Sequence, residues 1–245
     1  MREPGKWTVL VGRPPTSRGV YSLAMTRMRF IGVTLLIASL PLSAQASKMK
    51  LEEFLRLTPS TTATGGAAAG HLFQADRGSR KGQHLHVATG AAADAGALGP
   101  ATSEYQLVGA KTAGALPDVD VLGIHYLKVR PDRRDAFETF VTRTLNPAVA
   151  TLRPDLRLLY YKAVRGPDTG SYITIFALTR ESRDKYWPGG SDSDVLRAAF
   201  APVKTHTKEL LTYLVDGSAL TDEKFAAAVY ESRDWSDFVL VARPQ

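Results

Sequence analysis

The 245-residue chain contains no cysteine. Disulfides, thiolate zinc sites, iron–sulfur ligation and cysteine nucleophiles are excluded together, so packing alone has to hold the fold. The sequence also lacks any apolar run of the roughly 20 residues that a membrane-crossing helix needs. A Gly-rich phosphate loop, an HExxH pair, a Ser-His-Asp order and paired catalytic carboxylates are all missing at usable spacing. No motif therefore fixes a reaction, and whether the chain is an enzyme stays open. Basic charge is scarcer than the formal +7 suggests, because residues 1–46 carry six Lys/Arg against one acid and leave about +2 on the rest. Without a concentrated basic face the counterion-release term is small, and nucleic acid is not an expected partner.

What is present begins with a leader. Arg27 and Arg29 precede a 13-residue, mostly apolar run from Phe30 to Leu42, and Ser43-Ala44-Gln45-Ala46 follows with small residues. This order of basic, apolar and A-x-A segments predicts a secretory signal peptide over 25–46, cleaved after Ala46. The expected destination is periplasmic or secreted, with no stable membrane span after processing. Residues 1–24 read as an extension ahead of the true initiator, Met25 or Met28. Neither paired arginines nor a lipid-acceptor cysteine marks another export route.

Residues 47–117 are expected to be a short helix and a linker. Leu51, Phe54 and Leu55 fall at helical spacing within Lys48–Leu57. From 58 to 116 the chain turns to Thr, Ala and Gly with few apolar positions, a composition that buries too little surface to offset chain entropy. His84-Leu85-His86 puts two imidazoles on one face if the backbone is extended, but no third ligand stands at a recognisable spacing, so a surface loop histidine pair is expected and no metal site.

Residues 118–245 carry the domain. VDVLGIHYLKV (119–129), bounded by Pro117 and Pro131, reads as a strand. Pro131-Asp132 opens a helix with Phe137, Phe140, Val141, Thr144 and Leu145 on one face, which Asn146-Pro147 closes or kinks. Leu156–Val164 and Ser171–Leu178 form a hairpin around Gly166–Gly170. A second helix carries a stripe from Leu196 to Leu214 with a kink at Pro202, and Trp235–Val241 closes the sheet. The order β-α-β-β-α-β is the ferredoxin-like split βαβ pattern, an α+β fold with helices on one sheet face. Apolar residues on both faces of the first two of these strands imply that the other face is covered as well, and a homodimer is the expected cover.

On GIHYLKVRPDRRDAFETFV, LLYYKAVRG and YITIFAL, the region 119–245 resembles the dimeric α+β barrel superfamily, which includes antibiotic-biosynthesis monooxygenase-like and NIPSNAP-like proteins. The resemblance implies two four-stranded sheets facing each other and often a pocket between each sheet and its helices. Haem-degrading members use a strand residue, a loop tryptophan and a helix histidine; His125, Trp187 and His206 stand in comparable places. The asparagine expected on the first strand is missing, so haem, like any other cofactor, is not expected.

His125 has the unperturbed pKa of a proton shuttle and is the candidate catalytic residue, with a hydrogen-bonded structural role as the alternative. Tyr126, Tyr160, Tyr161, Tyr172, Trp187 and His206 are candidate pocket residues for a small hydrophobic or aromatic molecule, with Trp235 beside them; core packing explains the same rings. Arg157, Lys162 and Asp237 are charged positions within strands, suited to a carboxylate ligand or to ion-paired edges. Two readings follow: a ligand-binding barrel with cofactor-independent monooxygenase-like activity, or a non-catalytic dimeric envelope module.

Overall fold

The computed structural model describes residues 48–62, 70–90, 98–110, 115–152, 156–215 and 234–242. The leader at 25–46 and the extension at 1–24 lie outside the described residues, which all belong to one compact unit. The described residues form ten strands: β1 (Met49–Lys50), β2 (Phe54–Ser60), β3 (His71–Gly78), β4 (His84–Gly90), β5 (Ser103–Leu107), β6 (Asp118–Val119), β7 (Val121–Leu127), β8 (Arg157–Arg165), β9 (Tyr172–Leu178) and β10 (Trp235–Ala242). Eight of them close an antiparallel barrel in the order β10-β3-β4-β2-β5-β8-β9-β7, while β1 pairs with β6.

The second half of the chain follows its sequence. β7, β8, β9 and β10 make a four-stranded sheet, with the helices α1 (Arg134–Phe140) and α2 (Asn146–Leu152) after β7 and α3 (Arg180–Tyr186), α4 (Asp194–Phe200) and α5 (Lys204–Tyr213) after β9. Thr179 caps α3 reciprocally with Ser182, a short capping box that the periodicity argument passed over. Pro202 sits in the 3-10 turn Ala201–Val203 that kinks α4 into α5, as its spacing predicts. Pro147 does not end the first helix. A π-helical turn over Val141–Leu145 runs without a break into α2, so Pro147 sits inside a continuous helix directly after the turn whose wider i→i−5 bonding interrupts the ordinary ladder.

The first half overturns the expectation of a helix and linker over 47–117. Lys48–Leu57 forms β1 and the start of β2, and the Thr/Ala/Gly-rich region contributes β3, β4 and β5. Each of these strands turns only about two large apolar side chains inward: Leu55 and Leu57, Phe73 with Ala75, Leu85 and Val87, Tyr105 and Leu107. A strand needs no more when the facing sheet supplies the rest, and that is too few to lift the segment's composition. The Ala/Gly runs at 63–69 and 91–97 lie outside the described residues.

The two halves are one unit used twice. β2, β4, β3 and β5 pair with the registers of β7, β9, β8 and β10: Leu57↔Val87 matches Ile124↔Ile175, and Tyr105↔Leu55 matches Phe238↔Leu122. The β3–β4 and β8–β9 hairpins share Arg-Gly-x-x-x-Gly, as Arg77–Gly82 and Arg165–Gly170. Their hydrogen bonds correspond as well. The Gly82 N–H donates to Ala75 and Gly170 to Ala163; the Arg80 N–H donates to Ser236 Oγ and the Asp168 N–H to Ser103 Oγ. Gly78 and Gly166 hold φ of 89° and 95°, and a Cβ at either would collide with a strand carbonyl, that of Trp235 or Thr102.

One chain thus supplies both sheets of the barrel. The sheet face for which an identical subunit was expected is covered by the chain's own β2–β5, so the argument for a homodimer loses its physical basis. The interior is filled by Leu122, Ile124, Leu159, Ile173, Ile175, Phe238 and their partners, a packed core of the kind eight strands enclose. A second core lies between the outer face of β7–β10 and the helices, around Phe137, which meets Tyr160, Tyr172 and Tyr213 edge-on.

Candidate functional site

Alternation along each strand sorts the predicted pocket residues onto two faces. Tyr126 and Tyr161 belong to the barrel interior, whereas His125, Tyr160 and Tyr172 point to the helices. Tyr161 donates to the Glu52 carbonyl at 2.8 Å. Tyr126 lies under the Arg80 guanidinium, 3.7 Å from its ring centre, and burial pushes its hydroxyl up to about 12. Arg80 is itself held by Asp234 at 2.9 Å, and Tyr105 donates to Asp168 at 2.9 Å, so each of two hairpin turns is tied to the opposite half. These tyrosines pack and fasten the barrel; they do not line one pocket.

On the outer face of the C-terminal sheet, His125 stands between Trp235 on β10 and Thr174 on β9. Its ring stacks on Trp235 at 6.2 Å and meets Phe176 edge-on at 5.5 Å. Burial lowers its pKa to about 4, because the charged ring would lose its hydration, so the imidazole is neutral at ordinary pH. Tyr160 hydrogen-bonds with Thr174 in the same row. Tyr172 and Lys162 both donate to Glu138 on α1, at 2.5 and 2.7 Å, which makes Lys162 an ion-paired strand position. Trp187, at the end of α3, packs edge-on against Phe176 at 5.6 Å. His206 is half-buried on α5, and its ring contact is with Phe140 at 6.5 Å. Of the three positions compared with haem-degrading proteins, His125 and Trp187 both pack on Phe176, whereas the ring contact of His206 is with Phe140.

Asp237, two residues along β10 from Trp235, lies opposite Gly123 on β7 and Arg77 on β3. Only 13% of its side chain is accessible, and Arg77 Nη1 stands 3.9 Å from its carboxylate. Burial raises its pKa to about 6 against the opposing pull of Arg183 and Arg77. Around it, Arg183 binds Asp76 at 2.6 Å and Asp184 at 3.2 Å, and Arg77 donates to the Trp187 carbonyl at 3.1 Å.

At the other side of this face, a cavity of about 230 Å³ opens between α2, the start of β8 and residues 107–109. Its wall mixes the apolar Leu107, Val108, Val149, Leu156 and Leu158 with the polar Thr142, Asn146 and Arg157. Asn146 Oδ1 is buried and has no hydrogen-bond partner, an arrangement that costs free energy. It follows directly on the π-helical turn, which widens the helix at the cavity wall. Sequence reasoning missed this site, because a π turn and the return of residues 107–109 to β8 leave no periodic signal.

His84 and His86 lie on the outer face of β4, on a strand rather than a loop, and His84 Nδ1 and His86 Nε2 are buried without partners. Among the described residues no three His, Asp or Glu side chains group as a metal site. No described helix is long and apolar enough to cross a membrane.

No family model and no curated protein matches the chain. Among solved structures it is similar to an uncharacterised ferredoxin-fold protein related to antibiotic biosynthesis monooxygenases from Listeria monocytogenes 4b F2365, at 14% identity and a TM-score of 0.40, covering 78% of this chain and 96% of that one. It is also similar to a monooxygenase-like protein from Listeria innocua, at 12% identity and a TM-score of 0.37, over 79% and 95% of the two chains. At these identities the likeness says nothing about what this chain acts on.

Proposed function

We propose that the protein binds a small hydrophobic or aromatic molecule in the cavity between α2 and β8. The observation that carries this reading is a cavity of about 230 Å³ whose wall combines Leu107, Val149, Leu156 and Leu158 with the polar Thr142, Asn146 and Arg157. An apolar ring bearing one N–H or O–H fits that mixed lining, since the ring would cover Leu156, Leu158 and Val149 while its donor meets a polar member of the wall. Indole is a suitable probe. Calorimetric titration of the full chain with indole is expected to saturate at one site, and Ala150→Trp, which fills the cavity from an exposed position of α2, is expected to abolish the signal. Titration to millimolar indole without saturable heat, or undiminished binding in Ala150→Trp, would sink the reading.

Export is part of the same proposal and rests on the basic, apolar and small-residue order over 25–46. Sequencing the N-terminus of the protein recovered from outside the cytoplasm is expected to start at Ser47; a mature chain that retains Phe30–Leu42 would refute it.

A further inference from the structure

The cavity at α2 is graded from its floor to its rim. Leu107, Val149, Leu156 and Leu159 are buried, Thr142, Asn146 and Arg157 are half-buried, and Pro147 and Ala150 are exposed. Apolar surface therefore stands at the bottom, and the polar groups stand nearer to water. Arg157 is the single charged side chain of this lining, and no Asp or Glu belongs to it. The acids on the neighbouring elements are engaged away from the cavity: Glu138 on α1 accepts from Lys162 and Tyr172, and Glu53 accepts from Gln106. The cavity thus carries one positive charge at its rim and none of the opposite sign.

The ladder fixes where that charge stands. Arg157 opens β8 opposite Ala177 on β9, directly after the fully buried Leu156. Its Nη1 donates to the Ala115 carbonyl at 3.3 Å. A carbonyl takes one of the five N–H bonds of the planar fork and brings no charge of its own. A plain ring with an N–H answers only part of this wall. Thr142 gives its hydroxyl hydrogen to the Glu138 carbonyl at 2.7 Å, so its oxygen is left to accept from such a ring. Arg157 is a donor only and stays cationic at every ordinary pH, so its complement is an anion.

We propose that the cavity selects an aromatic carboxylic acid, with the ring on Leu156, Leu159 and Val149 and the carboxylate on the Arg157 guanidinium. The inference rests on the cavity reading above and names the class of molecule that the cavity takes. A volume of about 230 Å³ lies below that of pockets for drug-sized ligands, so one ring system with its acid on a short arm fills it. Guanidinium and carboxylate match as a two-pronged, charge-assisted pair. Because Arg157 is half-buried, the anion keeps part of its hydration and avoids the desolvation penalty of a deeply buried pair. The same exposure limits the gain over a neutral ring to about five- to tenfold in affinity.

Three indoles that differ in charge test this by calorimetric titration of the full chain at pH 7.5. Indole-3-acetate is expected to bind about five- to tenfold more tightly than indole, and the cationic tryptamine more weakly than indole. This order is read on the wild-type chain and needs no variant. In Arg157→Gln the ratio of the indole-3-acetate and indole affinities should fall to about one, and Arg157→Lys should restore part of it. Ala150→Trp should abolish binding of the acid. Saturable binding of indole with indole-3-acetate no tighter, or tryptamine bound as well as the acid, overturns the proposal and leaves the cavity reading standing. An unchanged ratio in Arg157→Gln, or a preference for the acid that survives Ala150→Trp, overturns it too. Absence of binding by all three probes would remove the cavity reading and this inference with it.

Discussion

Asp237→Asn should make the protein more stable at neutral pH. The Asp237 carboxyl ionises at about 6 in the folded chain against an ordinary 3.8, with burial as the main cause. Because the folded state holds its proton more tightly than the unfolded state, the sign is opposite to that of a salt-bridged carboxylate. Below pH 3.8 both states are protonated and the group costs nothing. Between 3.8 and 6 the unfolded chain ionises first and stability falls; above 6 the full penalty is present. A difference of this size corresponds to about 3 kcal/mol. Asparagine removes the ionisation, and the attraction to Arg77 that it gives up is already contained in that figure, since Arg77 and Arg183 hold the pKa down against burial. The net gain at pH 7.5 is therefore about 3 kcal/mol, or roughly 1–2 M in urea midpoint at an ordinary m-value. Paired urea titrations of wild type and variant at pH 7.5 and pH 4 measure it. The gain should shrink to a small fraction at the lower pH. A variant that is less stable at pH 7.5, or a gain identical at both pH values, would show that Asp237 carries no buried-charge penalty.

The repeat makes matched predictions. Gly78→Ala and Gly166→Ala should each destabilise by about 2–4 kcal/mol, since both combine a positive φ with a carbonyl in the path of the new Cβ; thermal unfolding of either variant near the wild-type midpoint would contradict the geometry. Phe137→Ala should cost about 3–5 kcal/mol, because its ring is fully buried among Tyr160, Tyr172 and Tyr213; a loss under 1 kcal/mol by urea denaturation would refute that packing. Sedimentation at micromolar concentration should give the mass of one chain, as the barrel closes within it. A dimer would mean that a surface other than the barrel sheets joins two copies.

The C-terminal half was legible residue by residue. Strand β7 is confined between prolines, the hairpin is marked by Gly166 and Gly170, and the stripe from Leu196 to Leu214 is interrupted at Pro202, so local chemistry alone determined order and element type there. Even so, α3 went unread in a polar segment whose signal was the Thr179–Ser182 cap. The sequence also held the duplication in plain form: Thr102–Val108 and Trp235–Val241 share the serine, an acid, a ring and the closing Leu-Val, and the two Arg-Gly-x-x-x-Gly turns agree. It is visible only once both segments are known to be strands.

Tertiary structure decided the rest, for a physical reason common to each case. Inward residues such as Leu55, Phe73 and Val87 are too sparse to specify a core by themselves and become sufficient only when the facing sheet completes it. Strand alternation separates Tyr126 from His125 and Tyr161 from Tyr160, so neighbours in sequence serve different cores. Asp237 owes its character to what stands across the ladder, Gly123 on one side and Arg77 on the other. Local propensity and turn chemistry are properties of a segment and can be read along the chain; burial, charge compensation and cavities are properties of what faces it, and only the closed barrel supplies them.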